Sequence, residues 1–117
     1  MPADEQTRLF EAPKAPAGGK RDRAYLVVLA GASVGEMYKV EGDKVIIGRG
    51  QKAHIRLFDD GISREHAQIV IEGEKIILQD LGSTNGTYLN GTRLDRPRRL
   101  SRGDIVRVGE TDLRYEQ

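Results

Sequence analysis

Short β-rich segments, each followed by a turn-forming residue, run through this chain from Tyr25 to Tyr115. Val, Ile, Leu and Tyr dominate the segments, and Gly, Asn or Asp stand between them, which is the pattern of strands joined by tight turns. The pair Asn90-Gly91 is the strongest hairpin signal. The pattern predicts an all-β fold, a β-sandwich of about ten or eleven short strands. The expected strands are Tyr25–Leu29, Met37–Val40, Lys44–Ile47, His54–Leu57, Ala67–Ile71, Lys75–Leu78, Thr87–Leu89, Thr92–Leu94, Asp104–Val108 and Leu113–Tyr115.

The texture of the sequence changes near residue 23. Residues 1–23 hold three of the four prolines and only one adjacent pair of bulky apolar residues, Leu9 and Phe10. Such a composition is typical of a flexible tail. We therefore expect two parts, a tail over residues 1–23 and one β-sandwich domain over residues 24–117, which is long enough to bury a core.

Composition argues against several classes of protein. The chain has no cysteine and only two histidines, His54 and His66, so we expect no disulfide, no metal site and no cofactor. Its net charge of +1, with 19 basic and 18 acidic residues, gives no general reason to expect nucleic acid or a membrane as partner. The polar, acidic start at Asp4-Glu5 does not resemble a signal peptide, and a cytoplasmic location is the expectation.

Three polar motifs fall on predicted loops between the strands. They are Gly48-Arg49, Ser63-Arg64-Glu65-His66 and Ser83-Thr84-Asn85-Gly86, the last inside the longer run Asp80–Gly91. Together they supply two guanidinium groups, several hydroxyls and an amide. Guanidinium and hydroxyl donors suit a phosphate, and an amide, which both donates and accepts, suits a peptide main chain. The motifs predict a site for a phosphorylated peptide on loops at one end of the sandwich.

The three motifs in this order, over about Tyr25 to Tyr115, resemble the forkhead-associated (FHA) family of phosphothreonine-binding modules. The resemblance implies a non-enzymatic protein that recognises phosphothreonine in a partner within Ser/Thr protein kinase signalling. It implies phosphate contacts for Arg49 and Ser63, a peptide contact for Arg64, a contact to the phosphate or the threonine methyl for Thr84, and a main-chain clamp for Asn85. Ser83 is an additional candidate contact.

Four further motif residues are expected to support the site rather than touch ligand. Gly48 is expected to free the backbone to turn before Arg49, and Gly86 to adopt left-handed backbone beside an Asn that tolerates it. In the resembled family the histidine matching His66 braces the loops. Asn90 is expected to shape the hairpin.

Thr7 is a candidate phosphosite in the tail. Acidic residues precede it and Phe10 stands three places after it, which is similar to the N-terminal kinase site of small bacterial FHA regulators. The domain could therefore bind its own phosphorylated tail as well as an external protein. It could equally be the input domain of a larger signalling protein such as a diguanylate cyclase.

Three alternatives stay open at this point. Ser63, His66 and Asp80 could form a hydrolase triad, although the spacing and the missing Gly-x-Ser-x-Gly elbow disfavour it. A phospho-independent scaffold or oligomerisation domain is the second alternative. The third is a nucleic-acid interface on a basic run that few aromatics accompany; it comprises Arg93, Arg96, Arg98, Arg99, Arg102 and Arg107.

Overall fold

The computed structural model describes residues 24–117, which form eleven β-strands and no helix. The predictions for residues 1–23, the tail and the Thr7 phosphosite, lie outside the described residues. Within residues 24–117 no helix is long and apolar enough to cross a membrane. The strands are β1 (Tyr25–Ala30), β2 (Met37–Lys39), β3 (Lys44–Gly48), β4 (Ile55–Arg56), β5 (Ala67–Glu72), β6 (Lys75–Asp80), β7 (Thr87–Leu89), β8 (Thr92–Arg93), β9 (Arg98–Arg99), β10 (Ile105–Val108) and β11 (Thr111–Glu116).

The strands form two sheets, and the predicted β-sandwich is confirmed. The five-stranded sheet has the order β9-β6-β5-β3-β4, and the six-stranded sheet has the order β2-β1-β11-β10-β7-β8. All pairs are antiparallel except β3 with β4, which run parallel. This parallel pair places Arg56 opposite Gly48, beside the start of the first motif loop.

Every expected strand is present, with ends shifted by at most two residues. One strand was not expected. Arg98 and Arg99 were expected only as members of a basic run, whereas they form β9, the edge strand that pairs with Leu78 and Ile77 of β6. Both arginines are exposed. Charged side chains on an edge strand prevent it from pairing with a further strand. Because these two residues are charged, β9 lacks the alternation of apolar residues by which strands are recognised in a sequence.

The core lies between the two sheets and consists of side chains that alternate inward along the strands. On β1, Leu26 and Val28 are buried while Leu29 is exposed, as expected of strands with one face inward. Tyr115 is the largest fully buried side chain. Each such residue contributes roughly 1.5–3 kcal/mol by leaving water. The other aliphatic residues of the core are Ala24, Val40, Val45, Ile47, Ile55, Leu57, Ile62, Ala67, Ile69, Ile76, Leu78, Leu100, Val106, Val108 and Leu113.

The hairpin between β7 and β8 turns at Asn90 and Gly91, with φ of 51° and 86°. Both angles are positive, as a two-residue turn of this kind requires. The Asn90 side chain also reaches β10, because its Nδ2 donates to Asp104 Oδ1 at 3.0 Å and its Oδ1 accepts from the N–H of Ile105 at 2.8 Å. Asn90 therefore fastens the hairpin to the six-stranded sheet.

Three loops are joined to one another by hydrogen bonds at one end of the sandwich. They follow β3 (residues 49–54), β4 (residues 57–66) and β6 (residues 81–86). The N–H of His66 donates to Ile47 O and the N–H of Leu81 donates to His66 O, both at 2.9 Å. These loops carry all three polar motifs, so the fold places the motif residues side by side.

Candidate functional site

Arg49 is held by two hydrogen bonds to the loop after β4. Its N–H donates to Ser63 O and its Nε donates to Ile62 O, each at 3.0 Å. The two terminal amino groups of the guanidinium have no partner among residues 24–117. The stem is thus fixed while the fork stays available for a bidentate contact to an anion.

Gly48 makes room for a close crossing of two backbone segments. A Cβ atom at this position would lie 2.0 Å from Arg64 O, a distance that no real contact allows. Gly48 is the last residue of β3 and its φ is not positive, so the close approach of Arg64 is the reason that the structure gives for a glycine here. The crossing lets the N–H of Gly50 donate to Arg64 O at 3.0 Å and brings the first two motifs together.

Ser63 links the second motif to the third. Its Oγ accepts a hydrogen bond from the N–H of Thr84 at 3.1 Å. Because that bond uses a lone pair, the hydroxyl hydrogen of Ser63 is available to donate elsewhere. Ser63 is half-buried, whereas Thr84 and Arg64 are exposed. The structure therefore brings together two hydroxyls and two guanidinium groups that the sequence had separated by up to 35 residues.

Asn85 extends from the same turn toward the loop after β4. Its Nδ2 donates to Gly61 O at 2.9 Å, and its Oδ1 has no partner within the described part of the chain. The backbone of Gly86 is left-handed with φ of 87°, whereas that of Asn85 is not. Asn85 therefore keeps an exposed acceptor while its amide nitrogen is anchored.

His66 is fully buried beneath the loops and bridges two of them. Its Nδ1 accepts from the N–H of Ser63 at 3.0 Å, and its Nε2 lies 2.8 Å from Gly86 O. Since a backbone N–H can only donate, Nδ1 is the acceptor, so the ring hydrogen resides on Nε2 and is donated to Gly86 O. The neutral imidazole thus satisfies one donor and one acceptor that are otherwise cut off from water.

Asp80 organises the loop that follows β6. Its Oδ1 accepts from the hydroxyls of Ser83 and Thr87, both at 2.6 Å. Its Oδ2 accepts from the N–H groups of Gly82 at 2.9 Å and Ser83 at 3.0 Å. Burial raises the pKa of this carboxyl, but the four hydrogen bonds outweigh burial, and the pKa lies below the ordinary value of 3.8.

Ser83 is committed to this internal network. Its hydroxyl donates to Asp80 and also accepts from the N–H of Gly86 at 2.9 Å. A hydroxyl engaged in this way has little left to offer a ligand. The geometry therefore favours Ser83 as a support for the turn over its expected role as an additional contact.

Asp59 holds the loop after β4 in shape by accepting hydrogen bonds, as Asp80 does for the loop after β6. This role of Asp59 was not expected from the sequence. Its carboxylate accepts from the N–H of Gly61 at 2.8 Å, from the N–H of Glu110 at 2.9 Å and from the hydroxyl of Thr111 at 2.8 Å. Burial raises the pKa of Asp59, yet these hydrogen bonds and the nearby Arg107 bring the pKa below 3.8. The spacing of Asp59 and Gly61 signals a local turn, but no pattern links residue 59 to residues 110–111.

The candidate triad residues do not form a catalytic relay. Both ring nitrogens of His66 are engaged by backbone groups, and Ser63 contacts it through the N–H rather than through Oγ. Asp80 bonds to Ser83 and Thr87 and not to His66. The proton path from serine to histidine to aspartate that the triad needs is therefore not built here.

The basic run between Arg93 and Arg107 is divided between the two sheets. Arg98 and Arg99 lie on β9 of the five-stranded sheet, whereas Arg107 lies on β10 of the six-stranded sheet. Acidic side chains accompany several of its members, as in the contact of 3.1 Å between Arg107 and Asp112. This division does not favour a single strip that could follow a nucleic-acid backbone.

The chain is similar to known proteins over most of the described region. The profile of the family "FHA domain" matches residues 45–109. The FHA domain-containing protein FhaB of Mycobacterium tuberculosis is 39% identical over 89 residues, which are 76% of this chain and 57% of FhaB. The chain therefore spans little more than half of that relative.

Solved structures show the same architecture. One from a study of phosphothreonine-dependent FHA domain interactions is 36% identical, with a TM-score of 0.74, and the match covers 80% of this chain and 95% of the other. A crystal structure of the FhaA FHA domain complexed with the intracellular domain of another protein is also 36% identical, with a TM-score of 0.73 and coverage of 80% and 99%. These matches agree with the resemblance carried by the three motifs.

Replacing His66 by alanine is expected to lower the free energy of unfolding by about 2–4 kcal/mol, because Ser63 N–H and Gly86 O lose their shared partner and a cavity is left. The melting temperature should fall by roughly 8–15 °C. His54→Ala is the matched control, since His54 is exposed and accepts one hydrogen bond, from the N–H of Ile46 at 2.8 Å. Equal melting temperatures for the two variants would contradict the bridging role of His66.

Asp80→Asn is expected to lose about 1–3 kcal/mol at pH 7, because the amide nitrogen turns a donor toward groups that themselves donate. The folded-state pKa of Asp80 lies below 3.8, so its contribution is present above pH 3.8 and is lost as the pH falls through the folded-state pKa. Urea titrations of wild type and variant measure the difference in their free energies of unfolding. This difference should be constant from pH 7 to about pH 4 and should shrink between pH 4 and pH 2. Asp95→Asn, at an exposed site, should give almost none; a difference for Asp80→Asn that does not shrink at all between pH 4 and pH 2 would refute this assignment.

Proposed function

Because this chain belongs to the FHA family, we propose that it binds phosphothreonine-containing segments of partner proteins and catalyses no reaction on them. One observation supports this proposal above all. Hydrogen bonds join three loops, and the loops carry side-chain donors that have no partner within the described residues. Arg49 and Arg64 border the same groove, and Thr84 is hydrogen-bonded to Ser63 next to it. An Arg cluster with accompanying hydroxyls is the usual means by which proteins recognise phosphate on a peptide.

The phosphate, which carries about −1.5 to −2 charges, is held by two kinds of group in this proposal. Arg49 supplies a fork of N–H donors that its hydrogen bond to Ile62 O holds in place. Ser63 supplies a hydroxyl that already accepts from Thr84 N–H, which leaves its hydrogen free to be donated to the phosphate. Arg64 and the Thr84 hydroxyl complete the set.

The peptide main chain is the proposed partner of Asn85. Its Oδ1 is exposed and without a partner among the described residues, so it can accept from a peptide N–H. The hydrogen bond from Nδ2 to Gly61 O holds the amide in one orientation. Anchored polar groups lose less conformational entropy on binding than mobile ones, which favours affinity.

The partner class follows from the chemistry of the ligand. A phosphothreonine implies a Ser/Thr protein kinase that produces it, and we place this signalling event in the cytoplasm. The structural relatives support the proposal, since one comes from work on phosphothreonine-dependent interactions and another is bound to an intracellular domain. The activity and partners of any longer protein that contains this domain are proposals of the same kind.

Arg49→Ala is expected to weaken binding of a phosphothreonine peptide by about 2–5 kcal/mol, because a charge-assisted bidentate contact is lost. Arg99→Ala is the matched control, since Arg99 lies on the edge strand β9 and loses the same charge. Isothermal titration calorimetry with phosphorylated and unphosphorylated forms of one peptide measures both effects. An affinity of Arg49→Ala within threefold of wild type would refute its role, and equal binding of both peptides would favour a phospho-independent scaffold.

Phosphorylation of Thr7 is expected to block the site from within the same chain. Residues 8–23 separate Thr7 from the described domain, and 16 residues reach at most about 53–58 Å. A tethered ligand has an effective concentration on the order of millimolar, so a micromolar intrinsic affinity would give nearly full occupancy. Titration of an external phosphopeptide, after mass spectrometry confirms the modification, should show affinity reduced at least tenfold. Thr7→Ala treated with the same kinase is the control; unchanged affinity of the phosphorylated protein would end this autoinhibition proposal and leave the binding function standing.

A further inference from the structure

The groove beside Arg49 holds more positive charge than one phosphate requires. It has a volume of about 500 Å³ and is lined by Arg49, Gly50, Gln51, Lys52, Arg56, Arg64 and Glu65, which we call the basic groove. Four of these side chains are cationic and one is acidic. A phosphothreonine of about −1.5 to −2 charges is balanced by Arg49 and Arg64 alone. Lys52 and Arg56 are therefore surplus to the phosphate.

Neither surplus cation is neutralised by the domain itself. Within residues 24–117 no acidic side chain forms an ion pair with Lys52 or Arg56, although the described chain contains such pairs elsewhere. Glu65 lines the same groove without pairing to either. Like charges gathered without a counter-charge repel one another, and a bound anion would relieve this repulsion.

Arg56 is also held in one position. The parallel pairing of β4 with β3 sets it opposite Gly48, and its Nε donates to Arg49 O at 3.0 Å. Its guanidinium carbon lies 4.9 Å from the ring centroid of Phe58, a side chain that is 69% exposed. Stacking on an aromatic face and a backbone hydrogen bond together restrain the guanidinium. Its terminal amino groups keep no partner in the described chain, so an oriented charge borders the groove.

We propose that Lys52 and Arg56 form a second anion subsite, which binds an acidic side chain or a second phosphate on the same peptide as the phosphothreonine. The inference rests on the proposed function and adds a preference to it. Arg56 Nε donates to Arg49 O at 3.0 Å, so the second subsite adjoins the residue proposed to hold the phosphate, and an extended peptide advances only about 3.3 Å per residue. The second anion therefore stands within about three residues of the phosphothreonine. A peptide is favoured over nucleic acid because the groove shares Arg49 and Arg64 with the proposed phosphothreonine site, and Ser63 directly precedes Arg64.

The test is a position scan by calorimetry on the full chain. The reference peptide has one phosphothreonine and alanine at the three positions on each side. In six further peptides aspartate replaces one alanine, and in a final set phosphoserine replaces aspartate at the best position. Wild type should gain roughly 5- to 20-fold in affinity at one or two positions, more for the phosphate than for the carboxylate. The gain should shrink between 50 mM and 300 mM salt.

Two variants assign the gain to the subsite. Lys52→Gln combined with Arg56→Gln should bind the reference peptide within about fivefold of wild type and lose the gain from the second anion. Lys52→Gln alone, which leaves the bond between Arg56 and Arg49 O in place, should lose part of the gain. Lys39→Gln combined with Arg99→Gln removes the same charge from exposed positions on β2 and β9 and should keep the gain.

The possible results separate the two proposals. If wild type binds the reference peptide but no acidic position improves affinity more than twofold, the second subsite is refuted and the phosphothreonine function stands. A gain that survives in the Lys52 and Arg56 double variant refutes the assignment as well. If no phosphopeptide binds at all, both proposals fail. If an unrelated DNA oligonucleotide displaces the reference peptide and depends on Lys52 and Arg56, the groove is a nucleic-acid site and the subsite proposal is overturned.

Discussion

The buried imidazole of His66 is the interaction on which the loop end of this domain depends. It joins the N–H of Ser63 to the carbonyl of Gly86, and its own backbone joins Ile47 to Leu81. His66 is fully buried and Gly86 is buried, and an unpaired donor or acceptor in such surroundings costs roughly 1–3 kcal/mol. One fully buried side chain thereby fixes the relative positions of two ligand loops. The bonds from Thr84 N–H to Ser63 Oγ and from Asn85 Nδ2 to Gly61 O join the same two loops beside it.

The charges of the site are divided according to what they bind. The carboxylates of Asp59 and Asp80 are used inside the protein, where they accept seven hydrogen bonds from loop N–H and hydroxyl groups. Both have a pKa below 3.8, because hydrogen bonding outweighs burial. The guanidinium groups of Arg49 and Arg64, in contrast, meet no carboxylate within residues 24–117. Acids therefore hold the loops in shape, and the unpaired cations remain for an anionic ligand.

Much of the fold could be predicted from the sequence, because alternation and turn residues are local signals. The hairpin at Asn90-Gly91 and the strands that precede and follow it were found from residue type alone. β9 was missed, since Arg98 and Arg99 form an edge strand and carry no apolar pattern. For Gly48 the sequence suggested a turn, and the structure adds a second reason for a glycine. A glycine is needed at this position because a Cβ atom would lie 2.0 Å from the backbone oxygen of Arg64. The local sequence gives no sign of such a crossing between two distant segments.

The candidate ligand residues were all visible as motifs, whereas the residues that position them were visible only in part. Asp80 begins the longest motif, but its four hydrogen bonds appear only when the loop is folded. Asp59 and Thr111 are 52 residues apart, and Lys52 and Arg56 come to border the Arg49 loop only when β4 pairs with β3.

The ligand loops already have their binding conformation in the domain without ligand. A crystal structure of the domain with a phosphothreonine peptide tests it most directly. We expect phosphate oxygens within about 3.2 Å of the Arg49 guanidinium and Ser63 Oγ, with loop Cα atoms displaced by less than about 1 Å. A phosphate bound elsewhere, or loops rearranged with the bond from His66 to Gly86 broken, would contradict it.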